Sequence, residues 1–186
     1  MLIVRNSIIL IALIPIIPLM ILLSMLIIIE DGKPAIFAQK RIGLNKKVFT
    51  LFKIRTMKNN TVQTGTHNIE ARNILKVGKI IRKLKLDEFL QLINVLRGEI
   101  NLVGPRPSLE NQFELINIRD KLKVLSIKPG ITGLSQVCGY DMSDENSLAN
   151  VDRLYINHQT FLLDAKILVA TFTGVFKKSL KKEFDI

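Results

Sequence analysis

The chain has 186 residues, of which 27 are Lys or Arg and 16 are Asp or Glu, and its formal net charge is +11 at pH 7. Such an excess of positive charge favours anionic partners: lipid headgroups, phosphorylated substrates or nucleic acid. The sequence has no Trp and two Tyr, and single-stranded nucleic acid is usually bound by stacking aromatic side chains. Composition therefore disfavours a nucleic acid partner and favours phosphate-bearing substrates and a phospholipid surface.

The first element along the chain is an apolar run from Ile8 to Ile29 that contains no charged residue. At about 1.5 Å of rise per residue it would be roughly 33 Å long, enough to cross a hydrocarbon core of about 30 Å. Pro15 and Pro18 lie in the middle of the run, and each lacks an N–H group and crowds the carbonyl four residues earlier. The run therefore predicts a membrane helix that either crosses with a kink or bends and returns to the face it entered.

The residues around this run indicate which side of the membrane holds the rest of the chain. Arg5 precedes the run, whereas Lys33, Lys40 and further basic residues follow it. The positive-inside rule then places the C-terminal body in the cytoplasm and determines the N-terminus only weakly. The only cysteine, Cys138, suits a reducing cytoplasm because it cannot form an internal disulfide. A cleavable signal peptide is the alternative, but residues 27–31 offer no small-residue cleavage site.

After residue 30 the chain is long enough for one ordinary domain with a single modest core. Pro34–Arg55 predicts a β-hairpin, because β-prone runs at Ile36–Gln39 and Val48–Phe52 flank a turn at Gly43–Lys46. Asn59–Asn68 is polar and patternless, which predicts a mobile loop.

Helical patterns follow, so the predicted fold class is α+β, mainly helical with a short hairpin. The predicted helices cover Ile74–Leu84, Asp87–Leu96, Ser108–Leu125, Leu148–Asn157 and Phe161–Phe176. The last segment is strongly apolar and runs into a lysine-rich tail. It is either a core helix with a solvated tail or an interfacial helix whose lysines meet anionic headgroups.

The most suggestive residues for chemistry are Asp87 and Glu88, which follow Arg82, Lys83 and Lys85 at a predicted helix start. A helix N-terminus and neighbouring cations both stabilise negative charge, so we expect both carboxylates to be ionised. An ionised Asp can attack phosphorus, and a neighbouring Glu can hold Mg²⁺. Ordinary capping of a helix start is the alternative interpretation of the same pair.

Arg106 lies between Pro105 and Pro107. Two fixed φ angles make this loop stiff, and a guanidinium can bind phosphate through two parallel hydrogen bonds. A surface arginine in a turn is the alternative. Four further basic residues share the predicted hairpin, where headgroup contact is the simplest role for them: Lys40, Arg41, Lys53 and Arg55.

Taken in order, these segments resemble the bacterial sugar transferases, the small monotopic phosphoglycosyl transferases that begin glycan assembly on polyprenol phosphate. The resemblance follows from five motifs and covers nearly the whole chain. After an apolar hairpin with proline, the motifs are Phe-Ala-Gln-Lys-Arg-Ile-Gly (37–43), Phe-Lys-Ile-Arg-Thr-Met (52–57), Ile-Arg-Lys-Leu-Lys-Leu-Asp-Glu-Phe-Leu-Gln-Leu-Ile-Asn-Val-Leu-Arg-Gly-Glu (81–99), Val-Gly-Pro-Arg-Pro (103–107) and Pro-Gly-Ile-Thr-Gly-Leu-Ser-Gln-Val (129–137).

The resemblance implies a reaction in two steps. Asp87 would be the nucleophile on the sugar-bearing phosphate of a UDP-sugar and would expel UMP, with Glu88 assisting and Mg²⁺ held by the Asp87–Glu88 pair. Polyprenol phosphate, usually undecaprenyl phosphate, would then attack the aspartyl phosphosugar. The implied ligands of substrate phosphate are Arg82, Arg106 and Arg55. An N-acetylated amino sugar is the expected donor on resemblance alone, because no segment identifies the sugar by a stated mechanism.

The resemblance also implies a place in the cell. Residues 1–30 would be a re-entrant membrane hairpin with its bend at Pro18, and residues 31–186 a cytoplasmic domain with interfacial helices. The enzyme would act on the cytoplasmic face of the bacterial inner membrane, in the first membrane step of surface glycan assembly, with oligomers possible. Two features depart from the family pattern: Ile17 stands where Ser is frequent, and Arg5 stands alone where a basic pair is common.

Two other classes of function remain as alternatives. One is a membrane-tethered basic binding protein without catalysis, which release of UMP would distinguish. The other is a nucleic acid binder, which the scarcity of aromatic residues disfavours.

Overall fold

The computed structural model of the chain describes residues 2–59, 61 and 73–186, and of residues 2–5 and 8 it describes the backbone alone. The described residues are mainly helical with four short strands, which confirms the predicted α+β class. The helices are α1 (Leu2–Asp31), α2 (Lys76–Lys83), α3 (Gln91–Leu96), α4 (Phe113–Lys121), α5 (Leu134–Cys138), α6 (Glu145–Asn157), α7 (Phe161–Thr173) and α8 (Lys177–Phe184). The strands are β1 (Ile36–Ile42), β2 (Val48–Ile54), β3 (Asn101–Val103) and β4 (Gly130–Thr132).

The structure divides into two compact units whose limits differ from the predicted boundary at residue 30. The first unit comprises the residues up to 39 together with 50–97, and the second comprises 40–49 together with 98–186. The apolar helix α1 belongs to the first unit, and the division into a membrane segment and a cytoplasmic domain stays a prediction. Among the described residues, the first unit has one apolar cluster around Ile27, and the second unit has clusters around Leu134 and Leu115.

The N-terminal helix α1 continues through Pro15 and Pro18 as one helix. The predicted division into two helices at Pro18 is therefore not found. Each proline removes one N–H donor, and the hydrogen bonds of the flanking turns are sufficient to continue the helix. Residues Ile9–Asp31 are long and apolar enough to cross a membrane by length and composition. The return of the chain to the same membrane face is untested and stays a prediction.

One face of α1 packs into the first unit, and the opposite face is exposed. The packed residues recur every three or four positions: Ile16, Leu19, Met20, Leu23 and Ile27. They share an apolar cluster with residues of the hairpin and of α2, among them Ile54, Leu75 and Ile81. The exposed residues repeat with the same spacing on the other side of the helix: Ile14, Ile17, Ile21, Met25 and Ile28.

The end of α1 also caps α2. Both oxygens of the Glu30 carboxylate accept backbone N–H groups from the start of α2, from Lys76 at 2.6 Å and from Val77 at 3.0 Å. These N–H groups have no partner within their own helix, and a carboxylate there also matches the helix dipole. The contact therefore joins the end of the apolar helix to the helix that precedes the candidate site.

The predicted hairpin is confirmed as the two-stranded sheet of β1 and β2. A single 3₁₀ turn at Leu44–Lys46 joins the strands, with positive φ at Asn45 and Lys46. The segment after β2 lies against α2 so closely that a Cβ on Gly78 would be 2.3 Å from the Thr56 carbonyl oxygen. Only glycine permits that approach.

The second predicted helix, Asp87–Leu96, is shorter in the structure. Lys85 adopts a left-handed conformation with φ 55°, a 3₁₀ turn covers Leu86–Glu88, and α3 begins only at Gln91. Leu86, Phe89 and Leu90 pack against the apolar cluster of the first unit. Tertiary packing of these side chains favours the tighter turn over continuous helix.

The second unit is organised around a parallel pair of short strands. β3 and β4 pair with Asn101 opposite Gly130 and Val103 opposite Thr132. Residues of β3, α5, α6, α7 and α8 form one apolar cluster, which includes Leu134, Tyr155 and Ile167.

The predicted helix Leu148–Asn157 is confirmed within α6. The helix predicted over Ser108–Leu125 is confined to α4 and a 3₁₀ turn, and the one predicted over Phe161–Phe176 ends at Thr173 before Gly174, which has φ 75°. The predicted loop Asn59–Asn68 lies, except for residues 59 and 61, outside the described residues.

Candidate active site

Asp87 and Glu88 lie on the 3₁₀ turn that follows α2 in the first unit. Both residues are half-buried. Their apolar neighbours Leu86 and Phe89 pack inward against the cluster that includes α1, so the turn is held from both sides of the pair. Two adjacent carboxylates therefore lie on a short turn that apolar packing holds in place.

Lys53 is a basic partner of this pair. Its Nζ lies 2.8 Å from Oε1 of Glu88, and the two side chains are only 17% and 21% exposed. β2 supplies the lysine, so the ion pair joins the hairpin to the turn. A partly buried pair of this kind is less screened by salt than a surface pair.

Arg82 is the second cation near Asp87. It lies on α2, and its Nε donates a hydrogen bond to Oγ1 of Thr56 at 2.7 Å. This contact orients the guanidinium from its Nε edge, so the Nη groups are the ones that would meet a phosphate. The interpretation of Arg82 as a phosphate ligand stays a prediction.

The ionisation of Asp87 differs from the expectation based on a helix start. Burial raises the pKa of Asp87, Lys53 opposes that effect, the negative charge of Glu88 adds to it, and Arg82 lowers it again. The prediction invoked a helix N-terminus, but the turn precedes a helix of six residues. The net direction is upward, so the charged form of Asp87 is disfavoured in the folded protein.

Arg55 has a structural environment that does not support its predicted role as a phosphate ligand. Its side chain is buried. Its guanidinium pairs with the carboxylate of Asp31, donates to the Gly32 carbonyl at 2.6 Å and contacts the side-chain oxygen of Asn59. Arg55 therefore holds the end of α1, and its role as a ligand of substrate phosphate stays a prediction.

Arg106 lies in the second unit, on the loop that follows β3. It is half-buried, and Pro105 and Pro107 on either side are buried. The hairpin residue Arg41, for which headgroup contact was the simplest expectation, is buried in the same unit and donates to the Pro107 carbonyl at 3.0 Å. The loop is therefore stiff for reasons beyond its prolines.

A sequence model of the family described as bacterial sugar transferase matches residues 3–178. The chain belongs to the bacterial sugar transferase family. The chain is 38% identical over 147 residues to the sugar transferase EpsL of Bacillus subtilis, covering 79% of this chain and 72% of that protein.

Two further relatives carry more specific names. A UDP-N-acetylgalactosamine-undecaprenyl-phosphate N-acetylgalactosaminephosphotransferase of Aeromonas hydrophila is 36% identical over 166 residues, which is 85% of this chain and 39% of that protein. A UDP-glucose:undecaprenyl-phosphate glucose-1-phosphate transferase of Caulobacter vibrioides is 33% identical over 167 residues, 83% of this chain and 61% of that protein. This chain thus spans about two fifths and three fifths of those two relatives.

In this bacterial sugar transferase, the carboxylate oxygens of Asp87 and Glu88 fit the expected Mg²⁺ if phosphate oxygens of the substrate complete the set of ligands. Within the part of the chain that the structure describes, no group of three or more His, Cys, Asp or Glu side chains could hold a metal by itself. Mg²⁺ commonly takes only one or two protein carboxylates and completes its shell with substrate phosphate and water. Asp87 and Glu88 are adjacent, and the charge of Glu88 raises the pKa of Asp87, a repulsion that a divalent cation would relieve.

Two contacts of the candidate site residues could not be predicted from the sequence. Lys53 was interpreted as a headgroup ligand, although it pairs with Glu88, a residue 35 positions away. Arg119, which contacts the Arg106 loop in the second unit, was not singled out at all. Both contacts join separate elements of the chain, so no local periodicity or motif spacing could have indicated them.

Proposed function

We propose that the chain transfers a phosphosugar from a UDP-sugar to polyprenol phosphate and releases UMP. Relatives named for this type of transfer to undecaprenyl phosphate support the proposal. The single observation that carries it is the half-buried carboxylate pair Asp87–Glu88, placed beside Lys53 and Arg82 in a family member.

In the first step, a carboxylate oxygen of Asp87 attacks the sugar-bearing phosphorus of the donor. The new bond joins that oxygen to phosphorus, the bridging P–O bond of the diphosphate breaks, and UMP leaves with the bond's electron pair. A half-buried carboxylate is poorly solvated and therefore a better nucleophile than one in water. Lys53 and Arg82 provide positive charge where the attacking group and the diphosphate repel each other.

Asp87 and Glu88 would hold the divalent cation together with phosphate oxygens of the donor. Mg²⁺ bound there would neutralise charge on the diphosphate and on the leaving UMP. The ion pair with Lys53 fixes one oxygen of Glu88 and so sets the direction of the carboxylate. Arg106 would contribute a bidentate contact to phosphate.

In the second step, a phosphate oxygen of the polyprenol phosphate attacks the same phosphorus. The bond to Asp87 breaks, the carboxylate is regenerated and a polyprenyl diphosphosugar leaves. Dividing the exchange between two anions into two substitutions avoids bringing both anionic substrates together in one transition state. The product is the lipid-linked sugar with which assembly of a surface glycan begins.

The test is release of UMP from UDP-sugars with Mg²⁺ and undecaprenyl phosphate. We expect Asp87→Asn to lower the rate by more than about 1,000-fold, the scale of removing a nucleophile, and Glu88→Gln to lower it strongly. Glu110→Gln, at an exposed carboxylate, is the matched control and should keep the rate. A wild-type chain that binds membranes but releases no UMP from any donor would be the non-catalytic binding protein instead.

The UDP-sugars to be tested are chosen from the donor expected on resemblance and from the sugars in the names of the relatives. An N-acetylated UDP-amino sugar is the proposed donor, on resemblance. The two relatives named for a sugar differ, being described for N-acetylgalactosamine and for glucose. UDP-N-acetylglucosamine, UDP-N-acetylgalactosamine, UDP-galactose and UDP-glucose should therefore be compared under one set of conditions, and the preferred donor is the one with the highest kcat/KM.

The proposed anchor is re-entrant, with α1 entering and leaving the cytoplasmic leaflet. The packing of α1 supports this. From Ile16 onward the helix shares a cluster with α2, which carries Lys76, Lys79, Arg82 and Lys83, and these cations would be costly in hydrocarbon.

A second membrane contact is proposed for α7 and α8. Apolar side chains stand exposed along α7 and the turn after it, with Phe161 90% exposed: Phe161, Leu162, Val169, Phe172, Val175 and Phe176. The following helix brings four lysines next in sequence: Lys177, Lys178, Lys181 and Lys182. Apolar residues beside lysines are typical of interfacial helices on anionic lipid, which would place the enzyme on the cytoplasmic face of the inner membrane.

A further inference from the structure

The loop that carries Arg106 has four successive backbone carbonyls, and each accepts a hydrogen bond from a different donor. Gly130 N–H donates to the Pro105 carbonyl at 2.9 Å, and Arg119 Nη1 donates to the Arg106 carbonyl at 2.7 Å. The next two acceptors are the carbonyl of Pro107, from Arg41 at 3.0 Å, and that of Ser108, from Ile42 N–H at 2.9 Å. The prolines alone would not produce this arrangement.

Two of these hydrogen bonds control the backbone of Arg106 itself. Its φ angle sets how the residue is turned against the preceding peptide, whose carbonyl belongs to Pro105 and is held by Gly130. Its ψ angle sets the direction of its own carbonyl, which Arg119 holds. Proline fixes φ at its own position, and Pro107 also excludes the α region for Arg106. Within the extended region that remains, the outside contacts hold the φ and ψ angles of Arg106. With both angles held, the direction of its Cα–Cβ bond is defined.

Arg119 is itself fixed by a buried ion pair. The side chains of Arg119 and Asp152 are 1% and 2% exposed, and Nη2 of the arginine lies 2.5 Å from Oδ2 of the aspartate. The other carboxylate oxygen accepts from Ser135 Oγ at 2.8 Å, and Nη1 of Arg119 also donates to Ser108 Oγ at 2.7 Å. α4, α5 and α6 each supply one of these groups.

Such a pair is a poor way to stabilise a fold. Desolvation of two buried charges can cancel their attraction, and well-packed apolar residues of similar volume are often as stable. What the guanidinium provides, and an apolar side chain cannot, is a planar set of N–H donors that reaches a backbone carbonyl in a defined direction.

We propose that Arg119, held by Asp152, is a positioning residue that sets the backbone of Arg106 for binding substrate phosphate. The inference rests on the proposed function, in which Arg106 is a phosphate ligand. It assigns a role in the reaction to a buried ion pair in the interior of the second unit.

The test is a double-mutant cycle on Arg106 and Arg119, because coupling separates positioning from stability. Arg106→Ala should lower kcat/KM for UMP release by about 100-fold, the scale of losing one charge-stabilising donor. Arg119→Lys, which keeps the charge but loses the planar fork, should lower it by about tenfold through misplacement. In the Arg106→Ala background, Arg119→Lys should change kcat/KM by less than about twofold. If the two losses multiply instead, Arg119 acts only through stability and the proposal is overturned.

Milder variants protect the test against misfolding. Ser108→Ala and Asp152→Asn each remove one group that orients Arg119, and should show the same pattern with smaller losses. The Tm of every variant is measured, and the loss in kcat/KM should not follow the loss in Tm across the set. A loss that follows Tm throughout would overturn the proposal.

A separate readout distinguishes failure of this inference from failure of the proposed function. The affinity for UDP is measured by calorimetry, without turnover, for wild type, Arg106→Ala, Arg119→Lys and the double variant. Should wild type release no UMP, the proposed function fails, and coupling in UDP affinity still supports positioning of a phosphate ligand. If UDP affinity is the same in Arg106→Ala as in wild type, or UDP does not bind, the positioning proposal is overturned.

Discussion

The Nζ atom of Lys53 lies 2.8 Å from Oε1 of Glu88, and both side chains are largely shielded from solvent. The pair brings a cation of the hairpin to the turn that carries Asp87. Lys53 lowers the pKa of Asp87 while burial and Glu88 raise it. The lysine therefore helps to keep the proposed nucleophile ionised.

Replacing Lys53 by Met should move the acid limb of the activity profile to higher pH. Removing the cation leaves burial and Glu88 less opposed, so the pKa of Asp87 rises further and a larger fraction is protonated at a given pH. The loss in kcat/KM for UMP release should therefore be greatest at low pH and should shrink as the pH increases.

The matched control is Lys83→Met, at an exposed lysine of α2. This variant removes one positive charge from the chain but leaves the ion pair between Lys53 and Glu88 intact. The acid limb of its pH profile should therefore stay in place. An acid limb that is unchanged in Lys53→Met would show that Lys53 does not set the ionisation of Asp87.

Asp87→Asn should make the protein more stable at neutral pH while it abolishes activity. The native-state pKa of Asp87 is raised above its ordinary value of 3.8, so the stability associated with this group is present in full below that value and is lost as pH rises through the native-state pKa. Asn does not titrate, so the gain in stability of Asp87→Asn over wild type should appear as the pH rises through the native-state pKa of Asp87. We expect Tm to rise by about 2–4 °C at neutral pH.

This gain should disappear as the pH falls well below 3.8, where Asp87 is protonated in both the folded and the unfolded protein. Glu110→Gln, at an exposed carboxylate, serves as the control and should leave Tm nearly unchanged. A lower Tm for Asp87→Asn at neutral pH would contradict the raised pKa and assign the aspartate a stabilising contact.

How far the sequence predicts this structure depends on the distance over which each feature is determined. The hairpin is determined locally, by β-prone runs around Asn45 and Lys46, which adopt the positive φ expected of a turn. The start of the second predicted helix is not determined locally. Asp87 resembles an N-cap in the sequence, but Leu86 and Phe89 pack inward and tighten the segment. A capping preference is weaker than burial of two large side chains.

The candidate site shows the same limit. Asp87, Glu88 and Arg106 can be identified because each lies in a short distinctive motif. Their supporting contacts cannot, since Lys53 and Arg119 meet partners 35 and 33 residues away, and a basic residue in a strand or helix carries no local sign of such a partner. The same holds for Arg55, whose burial against Asp31 follows only from the fold.

The re-entrant anchor predicts that both ends of α1 are on the cytoplasmic side. Cysteines at Ile3 and at Lys47, each in a Cys138→Ala background, should both be labelled by a membrane-impermeant thiol reagent only after the cytoplasmic face is opened. Labelling of residue 3 from the periplasm would establish a spanning helix. Replacing Pro15 and Pro18 together by Ala should shift residue 3 towards the periplasm, because it restores two hydrogen bonds of the ladder.

The proposed membrane contact of α7 can be measured with a single fluorescent reporter. The chain contains no Trp, so Phe172→Trp introduces one at an exposed apolar position of α7. In vesicles of anionic phospholipid its emission should shift to the blue and be quenched by brominated acyl chains. Lys121→Trp, at an exposed polar position of α4, should show neither effect. Equal quenching at both positions, or none at Phe172→Trp, would contradict the contact.

The most direct test of the central claim is detection of the covalent intermediate on Asp87. Protein given UDP-sugar and Mg²⁺ without polyprenol phosphate should release about one equivalent of UMP in a rapid burst, as expected when a covalent intermediate accumulates. Rapid quenching and intact mass analysis should then show one phosphosugar added to the wild type and none to Asp87→Asn. Release of UMP only after polyprenol phosphate is added, with no mass adduct, would contradict the mechanism and indicate direct transfer between the two substrates.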